Sequence, residues 1–183
     1  LKEGARGDLS RWGMYVNPIL WTQMMWNHGP QMEAEMKKIG IPVVEFKGNE
    51  MVDLIAYIRS LSAKAEKVYL SPGDPQTGER LFTRKGCVQC HSAGGNLDLT
   101  KKKDFPKTLA QLAGMMWNHS HQMWRGMKEK GIDLPSLSPQ EMSDVIQLAI
   151  ELKHRRKFDS LDAFSGRYFA LIFQGPSLRT KVS

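Results

Sequence analysis

Cysteine is nearly absent from this sequence, in which Cys87 and Cys90 are the only two among 183 residues. Two thiols are too few for a zinc site built from four cysteines. Long apolar runs are also missing, since the longest, residues 168–173, falls far short of the roughly 18 residues that a membrane span requires. No segment alternates strictly between apolar and polar residues, which argues against β-strands. We therefore expect an all-α fold with no membrane span.

The printed sequence also lacks a recognisable leader at its start. Leu1 is followed by Lys2, Glu3 and Arg6, with no apolar segment behind them. A signal peptide would need such a segment. We expect the printed start to be either processed or truncated.

The charge is unbalanced, because 26 lysines and arginines stand against 19 acidic residues and give a net charge of +7. A basic surface favours an acidic partner, which would be a protein, a membrane face or nucleic acid. Nucleic acid is the weakest choice, since the basic residues are scattered among acidic ones without an aromatic-basic motif. The alternative is that the charge only keeps the chain soluble.

The sequence contains an internal repeat. Residues 24–28, Met-Met-Trp-Asn-His, recur as residues 115–119, at an offset of 91 positions. The same offset also matches Gln31-Met32, Met36-Lys37, Gly40-Ile41, Glu50-Met51 and Asp53 to their second copies. Tryptophan and methionine are rare, so we interpret the chain as two homologous units, residues 1–66 and 72–153. Residues 154–183 have no counterpart and form a basic, aromatic tail, which either docks on a partner or folds back on its own domain.

Capping patterns predict three helices in the second unit. Asp74 before Pro75 caps a helix that runs to about residue 85, where Gly86 stops it. A second helix covers residues 106–130, after a loop at residues 92–105, and its apolar face carries three of the methionines. The last helix begins at the capping box of residues 138–141 and runs to about residue 153. In the first of these helices Gly78 shares a face with Phe82 and permits close approach of another helix.

The two cysteines form the pattern Cys87-Val88-Gln89-Cys90-His91. Cys-x-x-Cys-His is the pattern of c-type haem attachment, because two thiols at this spacing reach the two vinyl groups of one porphyrin and the histidine then lies below the iron. A thioredoxin-like pair would need a βαβ setting, which is absent. A disulfide in so short a loop is uncommon.

With these features the sequence resembles a class I c-type cytochrome in tandem form, over about residues 1–153. The resemblance implies two cytochrome c-like helical domains, the first without its opening helix and haem motif, and a periplasmic or extracytoplasmic location. Two features depart from the family pattern. Gly94-Gly95-Asn96 stands where a Gly-Pro pair usually precedes the carbonyl that accepts the proximal imidazole proton. Residues 132–135, Ile-Asp-Leu-Pro, lack the usual axial methionine.

The sixth iron ligand must then come from another position. We favour Met127, which is nearest to the family's usual position, with Met123 one turn earlier as the next choice. His119 would give bis-histidine ligation, and an open site is also possible. Most of these methionines are expected to be core residues.

The first unit repeats the candidates as His28, Met32 and Met36, while Trp26 and Trp117 are expected in the core. Either a second haem is attached through a motif upstream of the printed chain, or the first unit has lost its haem and these side chains pack a core. His28 and His119 have a further possible role, which is to bond a haem propionate or to cap their helices.

The expected function is electron transfer through one covalent haem c, as a subunit of a larger redox complex with acidic or membrane-associated protein partners. No acid, base or nucleophile group suggests an enzyme. The alternatives are a haem enzyme of peroxidase or ligand-binding type with an open sixth site, and a structural subunit whose haem is incidental.

Overall fold

A computed structural model describes residues 17–61, 69–92, 97–101 and 105–162, with side chains as far as residue 153. These residues form five α-helices and two short 3₁₀ turns, and they contain no strand. The helices are α1 (Pro18–Lys38), α2 (Glu50–Leu61), α3 (Pro75–Arg84), α4 (Leu109–Glu129) and α5 (Pro139–Asp162). The expected all-α class is therefore confirmed for this part of the chain.

The helix ends follow the capping residues that the sequence predicts. The Asp74 carboxylate accepts hydrogen bonds from the backbone N–H groups of Gln76 and Thr77, both at 3.1 Å, at the start of α3. Ser138 and Glu141 form a reciprocal capping box at the start of α5, with bonds of 2.9 and 3.2 Å. Helix α5 continues to Asp162, past the expected end near residue 153, because neither glycine nor proline interrupts that stretch.

The internal repeat is visible in the helices, since the bounds of α4 are those of α1 shifted by 91 positions. Helix α1 packs against α4, α2 also packs against α4, and α3 packs against α5. A shared core joins the two units and contains Trp26 and Trp117, which are buried as expected.

Hydrogen bonds join the units in a reciprocal way. The indole N–H of Trp26 donates to the carbonyl of Pro135 at 2.8 Å, and that of Trp117 donates to the carbonyl of Val44 at 2.7 Å. Each tryptophan therefore holds the segment that precedes the last helix of the other unit.

Helix α3 crosses α5 at the predicted glycine. A Cβ atom on Gly78 would lie 2.2 Å from the backbone oxygen of Asp144, so only glycine allows this approach. The N–H of Asp74 also donates to the Asp144 carboxylate at 2.9 Å. This crossing fixes α3, and with it the cysteine turn that follows.

Candidate haem site

The Cys-x-x-Cys-His segment forms one compact turn at the end of α3. Gly86 begins it with a φ of 82°, a left-handed conformation that favours glycine. A 3₁₀ turn spans Cys87–Gln89, and the carbonyl of Cys87 accepts the N–H groups of Cys90 at 3.2 Å and His91 at 3.0 Å. The turn therefore presents both thiols and the imidazole from five consecutive residues, as covalent haem attachment requires.

Both thiols are free and half-buried in the structure. Burial raises the pKa of the Cys87 thiol, against opposing effects of a backbone hydrogen bond and then of Lys85. Burial therefore favours the protonated form of the Cys87 thiol.

Lys85 connects the cysteine turn to the start of α5. Its ammonium donates to the carbonyl of Ser136 at 2.6 Å and lies 3.1 Å from the Glu141 carboxylate. The Ser138 N–H has the largest effect and lowers the pKa of Glu141, burial opposes it, and Lys85 lowers the pKa further, so that the net shift is downward. The turn is thus held from α3 on one side and from α5 on the other.

His91 makes a hydrogen bond through one of its two ring nitrogens. Its Nδ1 lies 2.9 Å from the carbonyl oxygen of Leu97. Since a carbonyl only accepts, Nδ1 is the protonated nitrogen, and Nε2 carries the lone pair that binds a metal. No pattern in the sequence pointed to Leu97 as the acceptor for His91.

The rings of two other side chains lie near that of His91. The ring centre of Phe82, from α3, is 6.1 Å from that of His91, and the ring centre of His119, from α4, is 6.4 Å away. His119 also lines an open cleft of about 770 Å³, whose walls include Phe46 from the first unit and Phe105 from the second. Cys87, Cys90 and His91 are not among the residues that line this cleft, so it adjoins His119 rather than the cysteine turn.

The two favoured methionines have different surroundings. Met127 is only 8% exposed and belongs to the core, and it lines a small cleft with Trp124 and Pro30. Met123 is half-buried and packs against the same core cluster. Of the three candidates, His119 is the one that the structure brings beside His91.

The equivalent positions of the first unit are more open. His28 is exposed, Met32 is 42% exposed and Met36 is half-buried.

The asparagine of each Trp-Asn-His motif has a structural role that sequence reasoning missed, because Asn27 and Asn118 bind the backbone of the opposite unit. The repetition of Trp-Asn in both units was the available signal.

The donors at the cysteine turn fit a covalent haem, with two free thiols and one imidazole whose other nitrogen is already bonded. Among the described residues, no group of three or more histidine, cysteine or acidic side chains is placed to hold a bare metal ion. No helix in that part of the chain is long and apolar enough to cross a membrane.

The chain matches no protein-family model, no curated protein and no solved structure.

Proposed function

We propose that this protein is a c-type cytochrome that transfers electrons through one haem, attached by thioether bonds to Cys87 and Cys90 and ligated by His91. In this proposal residues 72–153 form the haem domain and residues 1–66 form a related helical domain without a cysteine pair of its own. Bound haem would supply an iron that alternates between its ferrous and ferric states.

The observation that carries the proposal is the hydrogen bond from His91 Nδ1 to the Leu97 carbonyl. That bond occupies Nδ1 and leaves Nε2 as the ring nitrogen with a lone pair for iron, on the residue that directly follows two free thiols. Here the bond orients the imidazole and raises its basicity, which strengthens binding to iron. Sequence spacing and side-chain geometry therefore support the same three residues.

The chain's own residues have simple tasks in this function. The thiols tether the cofactor, His91 holds the iron from one side, and the crossing of α3 with α5 keeps the turn in place. The proposed function asks none of these residues to transfer a proton to a substrate.

The net charge of +7 supports an acidic redox partner, either a free protein or a subunit of a membrane-associated complex. Close to the turn, Arg80 and Arg84 on α3 are about 70% exposed, at 69% and 71%. Because c-type haem is attached outside the cytoplasm, we place the protein in the periplasm or on the extracytoplasmic side of a membrane.

The proposal is tested by producing the chain together with a haem-attachment system and then denaturing it. Haem should remain with the polypeptide on a denaturing gel, and the Cys87→Ser, Cys90→Ser double variant should lose it. Val88→Ala serves as the matched control, since Val88 lies in the same turn with an exposed side chain. Loss of all haem from the unaltered protein on denaturation would contradict covalent attachment.

Carbon monoxide separates the carrier from a haem enzyme of peroxidase or ligand-binding type. A carrier with both axial positions filled does not bind the gas rapidly after reduction. Rapid binding by the unaltered protein would favour the enzyme.

A further inference from the structure

We infer that His119 of α4 is the second axial ligand of the haem iron, so that the iron is bound by two histidines. The inference rests on the proposed covalent haem and adds the identity of the opposite ligand. It departs from the methionine that the resemblance to class I cytochromes implies.

The distance between the two imidazoles is the first observation. The ring centres of His91 and His119 are 6.4 Å apart, and the ring planes are inclined by 55°. Metal–imidazole nitrogen bonds are about 2 Å long, so two imidazoles on opposite sides of one metal have ring centres about 6 Å apart. The spacing of this pair thus suits an iron between them.

The position of His119 is also well defined by its neighbours in α4. Trp117 and Asn118, directly before it, bond to the backbone of Val44 and Phe46. These bonds fix the rotation of the helix at the turn that carries His119. A side chain on such a supported turn keeps its position near His91.

The methionines further along α4 are placed less well. Met127 follows His119 by eight residues, so its backbone lies about 12 Å further along the helix axis. Its side chain is buried in the core beside Trp124. Met123 lies about 6 Å further along the axis and packs against the same core. Either methionine would have to leave that packing to replace His119.

The spectrum of the unaltered, haem-loaded chain is the first test. Two-histidine ligation predicts a low-spin ferric haem without the methionine-to-iron charge-transfer band, and a bis-histidine pattern in near-infrared magnetic circular dichroism. This measurement needs no variant, so it does not depend on whether an altered chain folds. A methionine band, or a high-spin iron with an open site, would overturn the inference.

Variants then identify the residue. His119→Ala should become high-spin and bind carbon monoxide after reduction, and added imidazole should restore the low-spin spectrum. His119→Met should gain the methionine band and a higher midpoint potential, since a His/Met iron has the higher potential. A His119→Ala protein that stays low-spin without imidazole would refute the assignment.

Three controls complete the design. His28→Ala alters the exposed histidine at the equivalent position of the first unit and should leave the spectrum unchanged. Met123→Leu and Met127→Leu should do the same, and loss of the low-spin spectrum in either one would assign the ligand to that sulfur. If the unaltered chain holds no covalent haem at all, the proposed function fails instead.

Discussion

Asn118 binds both backbone groups of Phe46: its amide donates to the Phe46 carbonyl at 2.7 Å and its side-chain oxygen accepts the Phe46 N–H at 2.8 Å. Asn27 does the same to Leu137, with bonds of 2.9 and 3.0 Å. Each repeat unit thus satisfies the backbone of the other at the segment before its final helix. The two units consequently stabilise one another through polar contacts as well as through their common core.

Asn118→Ala should destabilise the fold, because it leaves a partly buried N–H and a partly buried carbonyl of Phe46 without their partner. We expect the free energy of unfolding to fall by about 2 kcal/mol, measured by urea denaturation. Gln122→Ala, at an exposed position on the same helix, is the control and should change it by less than about 0.5 kcal/mol. Equal stability of the two variants would show that the bonds to Phe46 contribute nothing.

Gly78→Ala should loosen the crossing of α3 with α5. Its Cβ would lie 2.2 Å from the Asp144 oxygen, so the helices must separate, at a cost of about 3 kcal/mol. Gly126→Ala is the matched control, since nothing lies within 4 Å of its Cβ and alanine favours a helix by about 0.5–1 kcal/mol. The midpoint temperature of thermal denaturation should fall for Gly78→Ala and rise for Gly126→Ala. A shift in the same direction for both variants would contradict the crossing geometry.

Glu141 should contribute to stability in a pH-dependent way. Its pKa is lowered in the folded protein, chiefly by the Ser138 N–H and then by Lys85. Because the pKa of Glu141 is lower in the folded protein than in the unfolded chain, its ionised form stabilises the fold at pH values above the unfolded pKa of about 4.3. That contribution is lost as the pH falls through the folded pKa. Glu141→Gln should therefore be less stable than the unaltered chain at pH 7. On acidification below about pH 4.3, the variant should lose less stability than the unaltered chain does.

Urea denaturation of both proteins at several pH values measures this difference. Asp74, whose pKa is lowered chiefly by the Thr77 hydroxyl, keeps part of the acid dependence in the variant. If the free energy of unfolding changed equally with pH in Glu141→Gln and in the unaltered chain, Glu141 would have no role in the acid dependence.

The printed chain should bind one haem covalently. It contains a single pair of cysteines, and thioether attachment consumes both. The mass of the denatured chain should accordingly exceed the polypeptide mass by that of one haem, and the Cys87→Ser, Cys90→Ser variant should show the polypeptide mass alone. A mass increase of two haems would mean that another residue attaches the cofactor.

Much of the local structure was predictable from short sequence patterns. Asp74 with Pro75, and the box from Ser138 to Glu141, marked helix starts because their side chains satisfy N–H groups that the first helical turn leaves unpaired. Gly86 and Gly131 marked ends, and both adopt positive φ values. The end of α5 was predicted too early, since the loss of the repeat after residue 153 is not a signal that stops a helix.

The candidate site likewise has features that the sequence predicts and features that depend on the tertiary structure. The sequence by itself determined that Cys87, Cys90 and His91 share one turn, since chain connectivity holds consecutive residues together whatever the rest of the fold does. Only the tertiary structure decided that the Leu97 carbonyl bonds His91 and that His119 lies beside it. Those neighbours depend on how α3, α4 and α5 pack, and packing direction is a property of the whole core that the helical spacing of His119, Met123 and Met127 does not specify.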